Sequence, residues 1–170
     1  MTIATKVLPY HDDLQQVEFR WNHETEILVG DLPGVVDGEN APHTIELGGT
    51  QGSYMSLNVQ DGILTGIEVV VWPRGHRVED LSPPEVTRTG RLQVTVAGAT
   101  ASPGVVELDV PLFCTRDVNE SRVHLAFGSR RVVEVVALAK NLIAEIDKEG
   151  DLAGIWLTDV PRFSGARENS

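Results

Sequence analysis

Arg131-Val132-Val133-Glu134-Val135-Val136-Ala137-Leu138-Ala139-Lys140-Asn141-Leu142-Ile143-Ala144-Glu145-Ile146-Asp147-Lys148-Glu149-Gly150 admits two readings, and the choice decides the fold. Val132, Val135, Val136, Ala139, Leu142, Ile143 and Ile146 recur at helical spacing, with Ser129 placed to cap a helix and Gly150 to end it. Alanine, leucine, lysine and glutamate also favour helix. Read as strands, the same residues run from Val132 to Leu138, turn at Ala139-Lys140-Asn141, and return from Leu142 to Asp147.

The neighbouring segments favour strands. Apolar and polar residues alternate in Val17-Glu18-Phe19-Arg20-Trp21, in Tyr54 to Val59, in Arg91 to Val96 and in Val106 to Val110. That period of two suits antiparallel sheets with one solvated face. Ile67 to Trp72 is apolar on both faces except at Glu68, which predicts a central, doubly covered strand. Asp61-Gly62 between Val59 and Ile63 is a tight-hairpin signal, because both residues tolerate positive φ. Glu149-Gly150-Asp151 predicts a second turn, and Gly48 to Gly52 a longer connection. Pro33-Gly34 through Pro42 reads as a polar loop, Ser82-Pro83-Pro84 as a linker, and residues 164–170 as a frayed polar end.

The chain also resembles itself. Gly62-Ile63-Leu64-Thr65-Gly66-Ile67 matches Gly150-Asp151-Leu152-Ala153-Gly154-Ile155, and Pro73 matches Pro161, each 88 residues on. Thr44-Ile45-Glu46-Leu47 set against Val132-Val133-Glu134-Val135 keeps that offset, and a one-residue adjustment aligns Leu57-Asn58-Val59 with Ala144-Glu145-Ile146. Phe19 to Gly30 resembles Phe113 to Gly128 at a larger offset. The first copy carries Gly48, Gly49 and Gly52 where a helix would run, which a helix tolerates poorly, so the second copy reads as strands. Gly66 and Gly154, inside strands, mark a bulge or a close backbone approach.

At these residues the chain resembles a small bacterial domain of unknown function, single or tandem, with a D-x-x-G-x-L-x-G-I signature. The signature stands as Asp147 to Ile155, and its first copy as Gln60 to Glu68. The glutamate that follows the signature in that family is kept at Glu68 and replaced by Trp156. The resemblance implies a fold and brings no activity. A unit of roughly fifty residues is marginal alone. Two copies sharing one core, about 17–73 and 111–161, joined by a strand-containing connection at 74–110, are therefore expected. The fold expected is mainly β, two pseudo-repeated antiparallel units packed as one roll or sandwich, with α+β and a helix at about 131–148 as the alternative.

Composition narrows function by exclusion. The 170 residues carry 14 basic and 25 acidic side chains, net −11, the wrong sign for a nucleic-acid backbone. No apolar run reaches the ~18 residues of a membrane helix. Met1 to Asp13 has no secretory pattern, and the one cysteine, Cys114, makes no internal disulfide, so a cytoplasmic protein is expected. His11, His23, His43, His76 and His124 lack ligand spacing; His11 reads as exposed, His124 as a wet-face or interface histidine, and Cys114 as a small core residue. No nucleophile elbow, phosphate loop or dinucleotide fingerprint occurs, so neither cofactor nor metal is expected.

Four residues stand out as ligand or interface candidates: Glu68, Asp61, Trp72 and Trp156. The tryptophans also read as core plugs at sheet ends. Glu46, Asp61, Glu68, Glu134 and Asp147 could meet only through folding. A non-enzymatic interaction or small-ligand-binding protein is expected. The alternatives are an acidic partner neutralising a basic protein, as immunity proteins do, and an enzyme whose site forms only in three dimensions. Open sheet edges would allow a homodimer.

Overall fold

The structure is a computed structural model that describes residues 2–10, 12–33, 42–98 and 104–163. The readings placed on His11, on most of the 33–42 loop and on residues 164–170 lie outside these. Fifteen strands are described. Strand β1 (Ile3–Leu8) opens the chain, followed by β2 (Phe19–Asn22), β3 (Ile27–Asp31), β4 (His43–Gly48), β5 (Tyr54–Gln60) and β6 (Ile63–Val71). The connection supplies β7 (Gly75–Val78), β8 (Arg88–Thr89), β9 (Arg91–Val96) and β10 (Val105–Asp109). The last run is β11 (Leu112–Asp117), β12 (Val123–Phe127), β13 (Val132–Ala139), β14 (Leu142–Asp147) and β15 (Leu152–Leu157).

Two sheets form. In the first, the order β1-β9-β6-β5-β4-β10 is joined by β3 on β6 and β2 on β3. The second runs β7-β11-β12-β15-β14-β13-β8. Each contains the same five-strand order, β2-β3-β6-β5-β4 in one and β11-β12-β15-β14-β13 in the other. Registers correspond as well: Leu57 faces Ile67 and Asn58 faces Gly66, while Ala144 faces Ile155 and Glu145 faces Gly154. Both ladders then slip, at Asn58/Val59 and at Glu145/Ile146. The fold is thus mainly β, built from two pseudo-repeated units.

The alignment of the units needs two corrections. Ile45 pairs with Leu57 as Val136 pairs with Ala144, an offset of 91, so Ala137 rather than Glu134 stands where Glu46 does. Part of the cause is loop length: Gly49 to Ser53 join Gly48 to Tyr54, whereas only Lys140-Asn141 join Ala139 to Leu142. Phe19 faces Gly30 as Cys114 faces Leu125, so the counterpart of Phe19 is Cys114. Phe113 projects outward and is 54% exposed.

The main core lies between the sheets, with Leu28, Ile45, Leu57 and Ile67 from the first and Leu125, Phe127, Val136 and Leu142 from the second. Residues 132–147 form a hairpin, and the helix alternative is excluded. Their helix-like spacing arises because both faces of this hairpin are buried. Val136, Leu138, Ala144 and Ile146 enter the main core, and Val135 and Ile143 pack outside with Trp156, Leu81 and Val132. Double coverage therefore belongs to β14 and β15, not to the stretch from Ile67 to Trp72, whose Val71 is 48% exposed. The first sheet has no such second layer over Val71.

The connection extends both sheets. β10 lies parallel to β4, β8 parallel to β13, and β7 parallel to β11. β7 depends on Gly75, because a Cβ there would run into the backbone oxygen of Cys114. No described helix is long and apolar enough to cross a membrane.

Candidate functional site

Each unit presses its β4–β5-type connection against the chain entering the other unit's first strand. In one case Lys140 N donates to Gln15 O (2.8 Å); in the other Val110 N donates to Gly48 O (3.0 Å). Gln15 and Val110 are equivalent at the 95-residue offset that relates Gly30 to Leu125. The two places are closed very differently.

At the second unit's connection the join is sealed. Asn141 is fully buried; its Oδ1 accepts from Val17 N and its Nδ2 donates to Val17 O, both at 2.8 Å. The side chain acts as a two-bonded plug against a backbone that would otherwise be unpaired.

At the first unit's connection a cleft of about 190 Å³ remains. Thr50, Gln51 and Ser53 form one wall, Leu112 and Phe113 a second, and Trp72 and Arg74, on the link from β6 to β7, line the rest. The longer loop folds over one 3-10 turn (Thr50–Gly52) that needs positive φ at Gln51 and Gly52. Gly49 lets it approach β11, since a Cβ there would lie 3.2 Å from Leu112 Cβ and would collide with Ser53 Oγ.

Trp72 is held firmly. Its Nε1–H donates to Glu26 O (3.3 Å), the Arg116 guanidinium lies 4.2 Å from its ring centre, and the Trp21 ring lies 5.5 Å away. Arg74 is exposed and enters no ion pair among the described residues, and it is the one charged residue lining the cleft. Ser53 is buried, and its Oγ finds no hydrogen-bond partner among the described residues. Such an orphan hydroxyl is uncommon and costly. A second depression, also about 190 Å³, is lined by Gly75, His76, Arg77 and Arg116. Arg77 and Arg116 face each other across β7 and β11 and share Glu120. A net-negative chain thus gathers cations here.

A second polar cluster lies on the outer face of the other sheet. Glu145 Oε2 is 2.8 Å from His124 Nε2, and Trp156 Nε1–H donates to Glu145 Oε1 at 2.7 Å. The His124 and Trp156 rings stack at 4.4 Å and 18°. Burial raises the Glu145 carboxyl, but the hydrogen bonds from His124 and Trp156 and the imidazole charge outweigh it and leave the carboxyl below its usual range. Gly154 makes room for the group: a Cβ would stand 2.7 Å from Glu145 Oε2 and 2.9 Å from Leu125 O. Both carboxylate oxygens are occupied, so the cluster ties β12, β14 and β15 together.

The four residues singled out from sequence do not converge. Trp72 lines the cleft, half-buried; Trp156 is buried in the outer cluster. Asp61, exposed, shares with Gly62 the turn between β5 and β6, both at positive φ. Glu68 sits on the outer face of the first sheet opposite Ser56, which in turn faces Glu46, and Glu46 faces Glu107. Burial, a hydrogen bond to Glu46, and the charges of Glu46, Glu107 and Glu68 push the Tyr54 hydroxyl up to about 12.

The other carboxylates are spoken for elsewhere. Glu134 pairs with Arg88 (3.0 Å) and Asp147 with Arg130 (2.8 Å), while Asp147 also accepts the turn amides of Glu149 and Asp151. Burial pushes the Cys114 thiol up, against the lowering influence of Arg116. His124, expected as a wet-face or interface histidine, lies part-exposed on an outer face, stacked on Trp156 and bonded to Glu145. Among the described residues no group of three metal-ligating side chains forms.

Compared with protein-family models and with curated proteins, the chain finds no match. Ser53, Arg74 and Phe113 escaped the sequence reading, as did Glu145. A signal existed for the cleft: the loop after Gly48 is longer than its counterpart at Lys140-Asn141, and loops that differ between otherwise equivalent units are where function diverges.

Proposed function

We propose that this is a non-enzymatic small-ligand-binding protein whose site is the cleft between the Thr50–Ser53 turn and β11. The observation that carries the reading is the contrast between equivalent joins: Asn141 plugs one, and the other keeps an open cleft with an unpaired buried hydroxyl at Ser53. Small ligands bind in concave sites that combine aromatic surface with placed polar groups, and here Trp72 and Phe113 stand with Thr50, Gln51 and Arg74. The reading of the chain as tandem copies of the small bacterial domain, cytoplasmic and able to pair through its open edges, belongs to this proposal.

The test is amide NMR of the full chain against a panel of anionic, neutral and cationic fragments at millimolar concentration. Saturable shifts confined to Thr50–Ser53, the Trp72 indole and Phe113 are expected. If no class of fragment moves those signals, the reading fails.

One observation favours a second reading, an acidic partner for a basic protein. The outer face of the first sheet aligns Glu107, Glu46 and Glu68 in one cross-strand row. Such a row would speed encounter with a basic surface in a salt-dependent way. Association that ignores added salt would count against it.

A further inference from the structure

The identity of the occupant can be narrowed by the chemistry of the walls. A volume of about 190 Å³ is below the ~300 Å³ at which drug-sized pockets begin, so nucleotides and peptides are too large for it. Trp72, Leu112 and Phe113 supply apolar and aromatic surface, and Trp72 is already immobilised by Glu26, Arg116 and Trp21. A ring placed there finds a rigid partner and orders little on binding.

Charge selects further. Arg74 is the charged residue of the lining, and no described carboxylate neutralises it. Arg116 lies over Trp72, and Arg77 faces Arg116 one strand away. Arg77 and Arg116 share Glu120 and line the second depression, while Arg74 in the cleft has no acidic partner among the described residues, so an anion is welcome at Arg74 even on a net −11 chain. Guanidinium is planar and weakly hydrated, and it pairs with carboxylate through two parallel hydrogen bonds.

We propose that the cleft binds a small aromatic monocarboxylate, its ring against Trp72 and Phe113 and its carboxylate on Arg74. The proposal rests on the cleft being a ligand site. It adds the chemical class and names Arg74 as the selecting residue.

The experiment compares benzoate, benzamide and benzylamine, which share a ring and differ in charge, by titration of the cleft amides in the full chain. Benzoate is expected to bind about twofold to fivefold more tightly than benzamide, the worth of an ion pair at an exposed arginine. Arg74→Gln should bring benzoate to the benzamide level while leaving the urea midpoint in place, because Arg74 is exposed and unpaired among the described residues. Added salt should weaken benzoate and leave benzamide unchanged.

If benzamide or benzylamine binds as well as benzoate, the anionic class is wrong while the cleft stands as a ligand site. If the benzoate preference survives Arg74→Gln, the assignment of Arg74 is overturned. If none of the three moves the cleft signals while fragments of another shape do, the aromatic class is overturned. Silence from every fragment removes the site as well.

Discussion

Replacing Ser53 with alanine should make the protein more stable. Ser53 is 5% exposed and its Oγ is shut off from solvent without a partner among the described residues. Burying an unsatisfied hydroxyl costs about 1–3 kcal/mol, and Ser53→Ala removes that cost. Against it stands the void left by one oxygen: about 10 Å³ at ~24 cal/mol per Å³ is only ~0.2 kcal/mol. Backbone preference is neutral, since Ser53 sits at φ −65, ψ 147, which alanine also adopts. The net gain is about 1 kcal/mol or more, worth roughly 2–4 °C in Tm for a chain of this size. Urea unfolding followed by tryptophan fluorescence measures it, with an unchanged m-value as the sign that the denatured state is unaffected. A variant no more stable than the parent would refute the reasoning, because the hydroxyl would then be satisfied within the fold.

At the sealed join the sign reverses: Asn141→Ala strands both backbone groups of buried Val17 and should cost about 3 kcal/mol, read as a lower urea midpoint. Gly154→Ala should destabilise by about 1–3 kcal/mol, and Gly66→Ala by less. The added Cβ meets Glu145 Oε2 at 2.7 Å and Leu125 O at 2.9 Å in the first case, while its nearest neighbours are at 3.0 Å in the second; equal losses would disprove the role given to the Glu145 pocket. Glu145 is held below its unfolded range, so its contribution is fully present above the unfolded value of about 4.3 and fades as pH falls through the lowered folded value. Asp117 and Asp147, also lowered, act in the same direction. Glu145→Gln should therefore lie furthest below the parent at neutral pH and converge with it in acid; parallel pH curves would contradict the linkage.

The architecture was legible where side chains alternate and where turns need positive φ. Asp61-Gly62 and Gly150 mark hairpins in the structure, and the glycines at 66 and 154 stand at bulges with a side chain leaning over each. The hairpin at 132–147 was ambiguous for a physical reason. Burial on both faces removes the alternation that identifies a strand, and only comparison with the glycine-rich loop of the other unit restored it. The edge strands β1 and β7 were not anticipated, because a short edge strand carries little periodic signal of its own.

The cleft was less legible because it draws on three places far apart in the chain: Ser53, Trp72 with Arg74, and Phe113. Of these, Trp72 alone drew notice, as a bulky residue before a proline. Arg74 lay in the connection that the resemblance does not cover. The cluster of His124, Glu145 and Trp156 was hidden by register, since its members face one another only once β12, β15 and β14 lie side by side.

Where the units correspond, their differences separate a sealed, doubly buried unit from an open one. At equivalent registers Glu68 stands where Trp156 does, and Val29 where His124 does. The second unit uses these positions to bury a bonded, stacked cluster beneath Leu81 and to join the main core's outer side. The first leaves them in a solvated acidic row. At the joins the roles are exchanged in the same sense: the second unit seals with Asn141, and the first spends a longer loop, an unpaired serine and an unpaired arginine on an open cleft. One unit carries the doubly buried strands that hold the molecule together, and the other carries the exposed charges and the cavity.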